Sequence, residues 1–192
     1  MPRTKQFDEQ AVLEKAMELF WQKGFHGTSM QELIDHLGIN RASLYDTYGD
    51  KQQLFDRSLA HYKKRNQQGL LDVLNSGATV KEGFKNLFEN SITAVINDPC
   101  RKGCFMVNTA TSFACDSLQM DTLKENKHFI EQSFSNALQK AIDSGELSAQ
   151  LNIEVISKTL FTFFNGLQVT AKINPSKKEL LSSIDTVLEV LQ

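Results

Sequence analysis

Apolar positions recur at helical spacing along nearly the whole chain, and no convincing alternation with period two appears. Val12, Ala16, Leu19 and Phe20 place one apolar stripe on a first helix, roughly Asp8 to Lys23, which Gly24 ends. Thr28-Ser29-Met30-Gln31 reads as a capping box opening a second helix, whose core face is Met30, Leu33, Ile34 and Leu37 and which Gly38 closes. Asn40 caps a short third helix, Arg41 to Tyr48, ended by Gly49; Asp50 caps a longer fourth, with Gln53 at its third position.

The second half repeats the pattern. Thr79-Val80-Lys81-Glu82 starts a helix carrying Phe84, Leu87, Phe88, Ile92 and Val95, stopped by Asp98-Pro99. A short helix is expected from about Gly103 to Ala114 and another from Ser117 to Ser144, ended by Gly145. Asn152 caps a strongly apolar helix reaching Ile173, and Asn174-Pro175 breaks the chain. The last helix, opened by Ser176-Lys177-Lys178-Glu179, carries Leu180, Ile184, Val187 and Leu191 at i, i+4, i+7 and i+11. The expected fold is all-α with about nine helices. A reading division at residues 1–50 is followed by a helical domain over 51–192, the helix over 51–75 connecting the two.

Composition agrees with a folded protein and narrows the alternatives. Of the 192 residues, 41% are hydrophobic and 23% charged, enough apolar content for a core without metal or disulfide staples. The densest apolar run, Leu160 to Phe164, is far shorter than the roughly 20 residues that span a bilayer. Met1-Pro2-Arg3-Thr4-Lys5-Gln6 leads into charge without the apolar stretch of a secretory leader, and three cysteines is an odd number. A cytoplasmic, thiol-reducing setting is expected, with no membrane partner. Residues 1–65 hold 10 Lys and Arg against 9 Asp and Glu. Charge alone therefore predicts no nucleic-acid binding.

The spacing of the second and third helices makes it one of the readings to weigh. Leu37-Gly38-Ile39 joins two short helices by a sharp turn, with Leu33, Leu37, Ile39 and Leu44 between them, the arrangement of a helix-turn-helix. The third helix then exposes Arg41, Ala42, Ser43, Tyr45 and Asp46. Small residues allow close approach to a groove, Arg41 reaches a guanine edge or a phosphate, and Tyr45 reaches a phosphate or a thymine methyl. Thr28 and Ser29 at one helix N-terminus, and Lys51 at another, suit phosphates. The same geometry also occurs in helical scaffolds that never touch DNA, and that alternative stays open on spacing alone.

Residues 7–55 resemble the N-terminal domain of the tetracycline-repressor (TetR) family of bacterial transcription regulators. The residues carrying the resemblance are Ala16-x-x-Leu19-Phe20, Gly24-Phe25-x-x-Thr28-Ser29-Met30, Ile34-x-x-x-Leu37-Gly38-Ile39 and Ser43-Leu44-Tyr45-x-x-Tyr48-Gly49-Asp50-Lys51-x-x-Leu54-Phe55. The resemblance implies a homodimeric, ligand-responsive repressor that binds double-stranded DNA at a palindromic operator. Carried over by position, the DNA-contact candidates are Thr28, Ser29, Arg41, Ala42, Ser43, Tyr45, Tyr48 and Lys51. Asp46 departs from the more frequent basic or His residue there. Arg3 and Lys5 are candidates for a flexible arm on the DNA. The family also implies that the fourth helix transmits the response.

Nine of the 13 phenylalanines lie after residue 65 and serve packing first. A pocket among the same helices would take an effector of unknown identity, with Cys104, Phe105, Asn108, Phe113, Phe129, Phe164 and Gln168 as lining candidates. Phe161, Val169, Leu180, Ile184, Val187 and Leu191 are the dimer-interface candidates on the last two helices. Cys100, Cys104 and Cys115 lack zinc-site spacing, and no metal or cofactor is assigned. Arg101 and Lys102 beside the first two favour a thiolate. Gly103-Cys104-Phe105-Met106-Val107, with Gly166-Leu167-Gln168 and Lys172, resembles a TetR subgroup in which some members are thought to sense electrophiles or oxidants through a cysteine. No nucleophile elbow, phosphate-cradling loop or metal-spaced His pair is present, so an enzyme is not expected.

Overall fold

The structure, a computed structural model, describes residues 7–113, 118–173 and 176–191. Its helices run in the order α1 (Glu9–Lys23), α2 (Met30–Leu37), α3 (Arg41–Tyr48), α4 (Lys51–Leu74), α5 (Val80–Asn97), α6 (Phe105–Ser112), α7 (Leu118–Asp143), α8 (Ile153–Ile173) and α9 (Lys177–Val187), with a 3-10 turn over Leu188–Leu191. No strand occurs among the described residues. Cys115, Arg3 and Lys5, singled out from the sequence, lie outside them.

Local chemistry accounts for the boundaries. Asp8 accepts from the backbone N–H groups of Gln10 and Ala11 at the start of α1. Asp50 and Gln53 form a reciprocal capping box at the start of α4, each satisfying a donor that the helix leaves unpaired. The cap of α2 sits one residue later than the sequence pattern placed it. Ser29, not Thr28, accepts from the Glu32 N–H at 3.1 Å, while the buried Thr28 hydroxyl donates back to the Gly24 carbonyl at 2.8 Å. Gly38 turns the chain between α2 and α3 at φ 67°, a left-handed conformation that glycine adopts without penalty.

Two cores result, and α4 runs through both. The first gathers Val12, Ala16, Met17, Phe20, Leu33, Leu44 and Tyr48 around the N-terminal half of α4, where Leu54, Phe55, Leu59 and Tyr62 are buried. The second joins Leu70 and Leu74 at the far end of α4 to α5, α7, α8 and α9. Phe105 and Met106, on α6, belong to the first core although they lie far along the chain. Burying a Phe or Met side chain stabilises by roughly 1.5–3 kcal/mol, so α6 is firmly held to the N-terminal unit.

The α9 stripe finds its partner inside the protomer. Leu180, Ile184 and Leu191 are buried in the second core and Val187 packs partly buried against it, so these four residues do not form a free dimer surface. A stripe of period 3.6 reports that a face is apolar, and α5 already covers this one. Phe161 also packs against the second core. Of the six interface candidates, Val169 alone is exposed.

Candidate nucleic-acid interface and internal cavity

The geometry of α3 follows from which of its residues the core claims. Leu44, Thr47 and Tyr48 are buried, which turns Arg41, Ala42, Tyr45 and Asp46 to solvent and leaves Ser43 half-buried. Tyr45 is among the few large hydrophobic side chains of the described residues that stand exposed, at 43%. Arg41 has no carboxylate partner among the described residues. Its guanidinium is free for a base edge or phosphate. Asn40 caps α3 by accepting from the Ser43 N–H at 2.8 Å, which fixes how the helix begins and hence where Arg41 projects.

Two expected contact residues are placed differently. Tyr48 is buried and its hydroxyl donates to the Glu9 carbonyl at 2.7 Å, while burial pushes the phenol up to about 12. Its donor ties α3 to α1 rather than facing a groove. Thr28 is likewise turned inward by its bond to Gly24. The face that remains is Ser29, Arg41, Ala42, Ser43 and Tyr45, flanked by Lys51. The Lys51 ammonium stands 4.3 Å over the Phe25 ring, and desolvation lowers its pKa.

Behind this unit, α1, α4, α5, α6, α7 and α8 line a partly open cavity of about 300 Å³. Cys104, Phe164 and Gln168 line it as expected. Phe105, Asn108, Phe113 and Phe129 do not. Phe105 and Phe113 are instead part of an aromatic cluster with the N-terminal unit. Phe55 lies 5.5 Å from Phe105 and 5.2 Å from Phe113, and Phe25 lies 5.4 Å from Phe113. Asn108 bridges the Lys102 carbonyl and the Lys172 ammonium, and Phe129 packs partly buried against the second core. Trp21, Tyr62 and Met106 also line the cavity, and sequence reasoning missed them. Trp21 and Tyr62 sit on helices whose stripes serve the first core, so spacing did not reveal a second neighbour.

The segment between α5 and α6 is fastened to α1. Trp21 Nε1 donates to the Gly103 carbonyl at 3.0 Å, Gln22 Nε2 donates to Cys100 Sγ at 3.3 Å, and Lys102 pairs with Glu18 at 3.6 Å. Asp98 organises the turn by accepting from the backbone N–H groups of Cys100 and Lys102 and by pairing with the Lys102 ammonium at 3.0 Å. Burial alone would raise the Asp98 carboxyl. The bonds from Lys102 and Cys100 outweigh it and hold the group below its usual range.

Cys104 occupies the N-cap of α6, where Tyr62 Oη donates to its sulfur at 3.7 Å. The neighbouring cations do not outweigh its burial. Lys102 is committed to Asp98 and Glu18, and burial of the sulfur raises the thiol above its ordinary value against the helix N–H groups, Tyr62 and Lys172. Cys100 is exposed on the turn before α6.

The family described as "Bacterial regulatory proteins, tetR family" matches residues 12–57, and the one described as "Tetracyclin repressor-like, C-terminal domain" matches residues 81–186. Over 193 aligned residues, spanning the full length of both proteins, the chain is 32% identical to the uncharacterised HTH-type transcriptional regulator YezE of Bacillus subtilis. It is 26% identical to the HTH-type transcriptional repressor ComR of Escherichia coli, over 98% of this chain and 90% of that one. Among solved structures, a cysteine-substituted variant of the TetR family regulator CifR, in complex with a 26-base-pair operator DNA, superposes with a TM-score of 0.88. It is 27% identical over 99% of this chain and 100% of that one. Reduced Escherichia coli NemR shares the fold at a TM-score of 0.85 and 18% identity, covering 95% of this chain and 96% of that one. The chain belongs to the TetR family of bacterial transcriptional regulators, DNA-binding proteins built on this helix-turn-helix.

Proposed function

We propose that this regulator is a homodimeric repressor that reads a palindromic operator with α3 and releases it when the cavity beside Cys104 is filled or the thiol is modified. The observation that carries the DNA-reading half is the free face of α3. Arg41, Ala42 and Tyr45 stand clear of a helix whose opposite side is buried, on a fold similar to that of an operator-bound regulator. Two such heads, one per protomer, read half-sites about one helical turn or a multiple apart.

A different stripe from the one expected serves dimerisation. Val155, Thr159, Thr162, Gly166, Val169 and Ile173 are all exposed and follow one another at spacings of four and three along α8. The Thr159 and Thr162 hydroxyls donate to the carbonyls four residues earlier, at 2.8 and 2.9 Å, which leaves their methyl groups outward. No atom lies within 4 Å of where a Cβ on Gly166 would stand, so the protomer's own packing does not require a glycine there. A second copy of α8 crossing at that point does, because small residues let two helices approach closely.

The coupling runs through α6 as well as α4. Cys104 and Met106 face the cavity, whereas Phe105 and Phe113 bracket Phe55 and Phe25 in the N-terminal unit. An effector that shifts α6 therefore disturbs the core on which α3 rests. A coupling of about 1–3 kcal/mol weakens operator binding roughly 5–150-fold, and by linkage the operator weakens effector binding equally.

Selection of bound fragments from a random DNA library by the purified protein, repeated with Arg41→Ala, tests the reading. A palindrome recovered by the native protein and lost in a variant with unchanged melting is the expected result. A folded dimer that enriches nothing at low salt would overturn it in favour of a helical interaction scaffold.

A further inference from the structure

The cavity beside Cys104 has a second lobe behind it. A further pocket of about 340 Å³, open to solvent beside the exposed Ala110 and Thr111, lies between α6, α7 and α8, lined by Val107, Ala110, Leu123 and Phe161 among others. Two side chains, Met106 and Asn126, line both. The two lobes therefore meet at one thioether side chain and one amide. Methionine is unbranched and adapts its shape readily, which makes it a movable partition. On α8 the two lobes are lined by Phe161 and Asn165, then by Phe164 and Gln168, successive positions along one side of the helix.

The polar groups of the first lobe describe what would fit. Its charged groups are already answered, Lys63 by Glu125 at 2.7 Å and Asp98 by Lys102 at 3.0 Å. Gln168 is not. It is 9% exposed, lines the lobe, and has no hydrogen-bond partner among the described residues. A buried amide without a partner costs free energy that a ligand carbonyl or hydroxyl recovers. The second lobe adds mainly apolar surface, and its two lysines, Lys124 and Lys127, are paired with Asp121 and Glu131.

From these observations we infer that the two lobes form one site for an elongated, uncharged ligand. A carbonyl or hydroxyl head bonds Gln168, and a hydrocarbon tail passes Met106 into the second lobe. The inference rests on the reading of this cavity as the effector site and gives that site its ligand class. It also gives length a role. Met106 is buried in the core of the N-terminal unit, so a tail long enough to displace it presses on α6, whereas a short ligand fills the first lobe alone.

A homologous series of 2-alkanones, from 2-pentanone to 2-tridecanone, tests this by titration of tryptophan fluorescence. Trp21 is the protein's single tryptophan and lines the first lobe, so the signal reports binding without DNA. Affinity should rise about fourfold per added methylene and keep rising past the length that fills the first lobe. Ala110→Phe, at an exposed position in the second lobe, should leave the short ketones unchanged and stop the gain at that length. Gln168→Leu should weaken every ketone about tenfold, and carboxylates of equal length should bind at least tenfold more weakly than ketones. A native series that levels off at the same length as Ala110→Phe would show separate lobes and overturn the inference, as would the absence of ketone binding. A protein that binds the series but selects no operator would leave this inference standing and overturn the repressor reading instead.

Discussion

Phe105→Ala separates the role of α6 in stability from its role in transmission. The ring is almost fully buried and packs at 5.5 Å from Phe55 and 5.6 Å from Tyr62, edge-on to both. Truncating a buried Phe costs about 3–5 kcal/mol, which in a protein of this size lowers the melting temperature by roughly 6–20 °C. Phe84→Ala is the matched control, since Phe84 is also fully buried but packs against Phe134 at 4.9 Å in the second core. The two variants should melt lower by similar amounts at equal protomer concentration. They should differ in fluorescence-anisotropy titration of the selected operator at a temperature well below both transitions. Phe105→Ala should bind at least tenfold more weakly, because the cluster that seats Phe25 and Phe55 under the reading helices has lost its brace; Phe84→Ala should bind within about twofold of the native protein. Equal operator affinities in two equally destabilised variants would refute the role of α6.

Three further outcomes follow from single positions. Gly166→Leu should stabilise α8 locally by about 1 kcal/mol, since Leu is the better helix former and meets no neighbour within the protomer, yet convert the dimer to monomer in sedimentation velocity; a retained dimer with raised melting would remove α8 from the interface. Because Asp98 is held below its usual range, folding favours its ionised form. Its contribution is complete above the ordinary carboxylate pKa near 4 and is lost as pH falls through the lower folded value, so Asp98→Asn should flatten the acid limb of a melting-against-pH profile. Gly103→Ala and Gly145→Ala both place a side chain at positive φ, 68° and 78°, at a cost of about 1–2 kcal/mol. Only the Cβ at position 103 also meets Lys172, at 2.7 Å from its Cδ, so calorimetry should show the larger loss there.

What the sequence made legible is what local chemistry decides. Caps and stops work through a few adjacent residues, so Asp8, Asn40, Asp50, Thr79 and the glycines after α1 to α3 mark their helix ends correctly. The exposed face of α3 was legible for the same reason, since Leu44 and its neighbours identify the buried side within two turns. Tyr48 shows the limit. Its place beside Lys51 in the family motif made it a contact candidate, but its hydroxyl is spent on Glu9, 39 positions away. Only tertiary packing determines that partner.

The same limit explains why most of the apolar residues singled out for a dimer face, and several singled out for a pocket, are packed elsewhere in the protomer. Amphipathic spacing registers apolar side chains, so it singled out Leu180, Ile184 and Leu191, which the protomer's own core consumes. The exposed stripe on α8 contains two threonines and a glycine, which score as polar or neutral although the threonine hydroxyls are turned back onto the backbone. Phenylalanines at the two ends of α6 were assigned to a pocket because they lie in the C-terminal part of the chain, whereas Phe105 and Phe113 cross to the N-terminal unit. That crossing gives the proposed regulation a physical path. Cys104 and Met106 face the cavity while the residue between them is clamped by Trp21, Phe55 and Tyr62, so three consecutive residues belong to two units at once. In the mechanism proposed above, a ligand that moves the cavity side of so short a helix moves the side packed on the N-terminal unit with it.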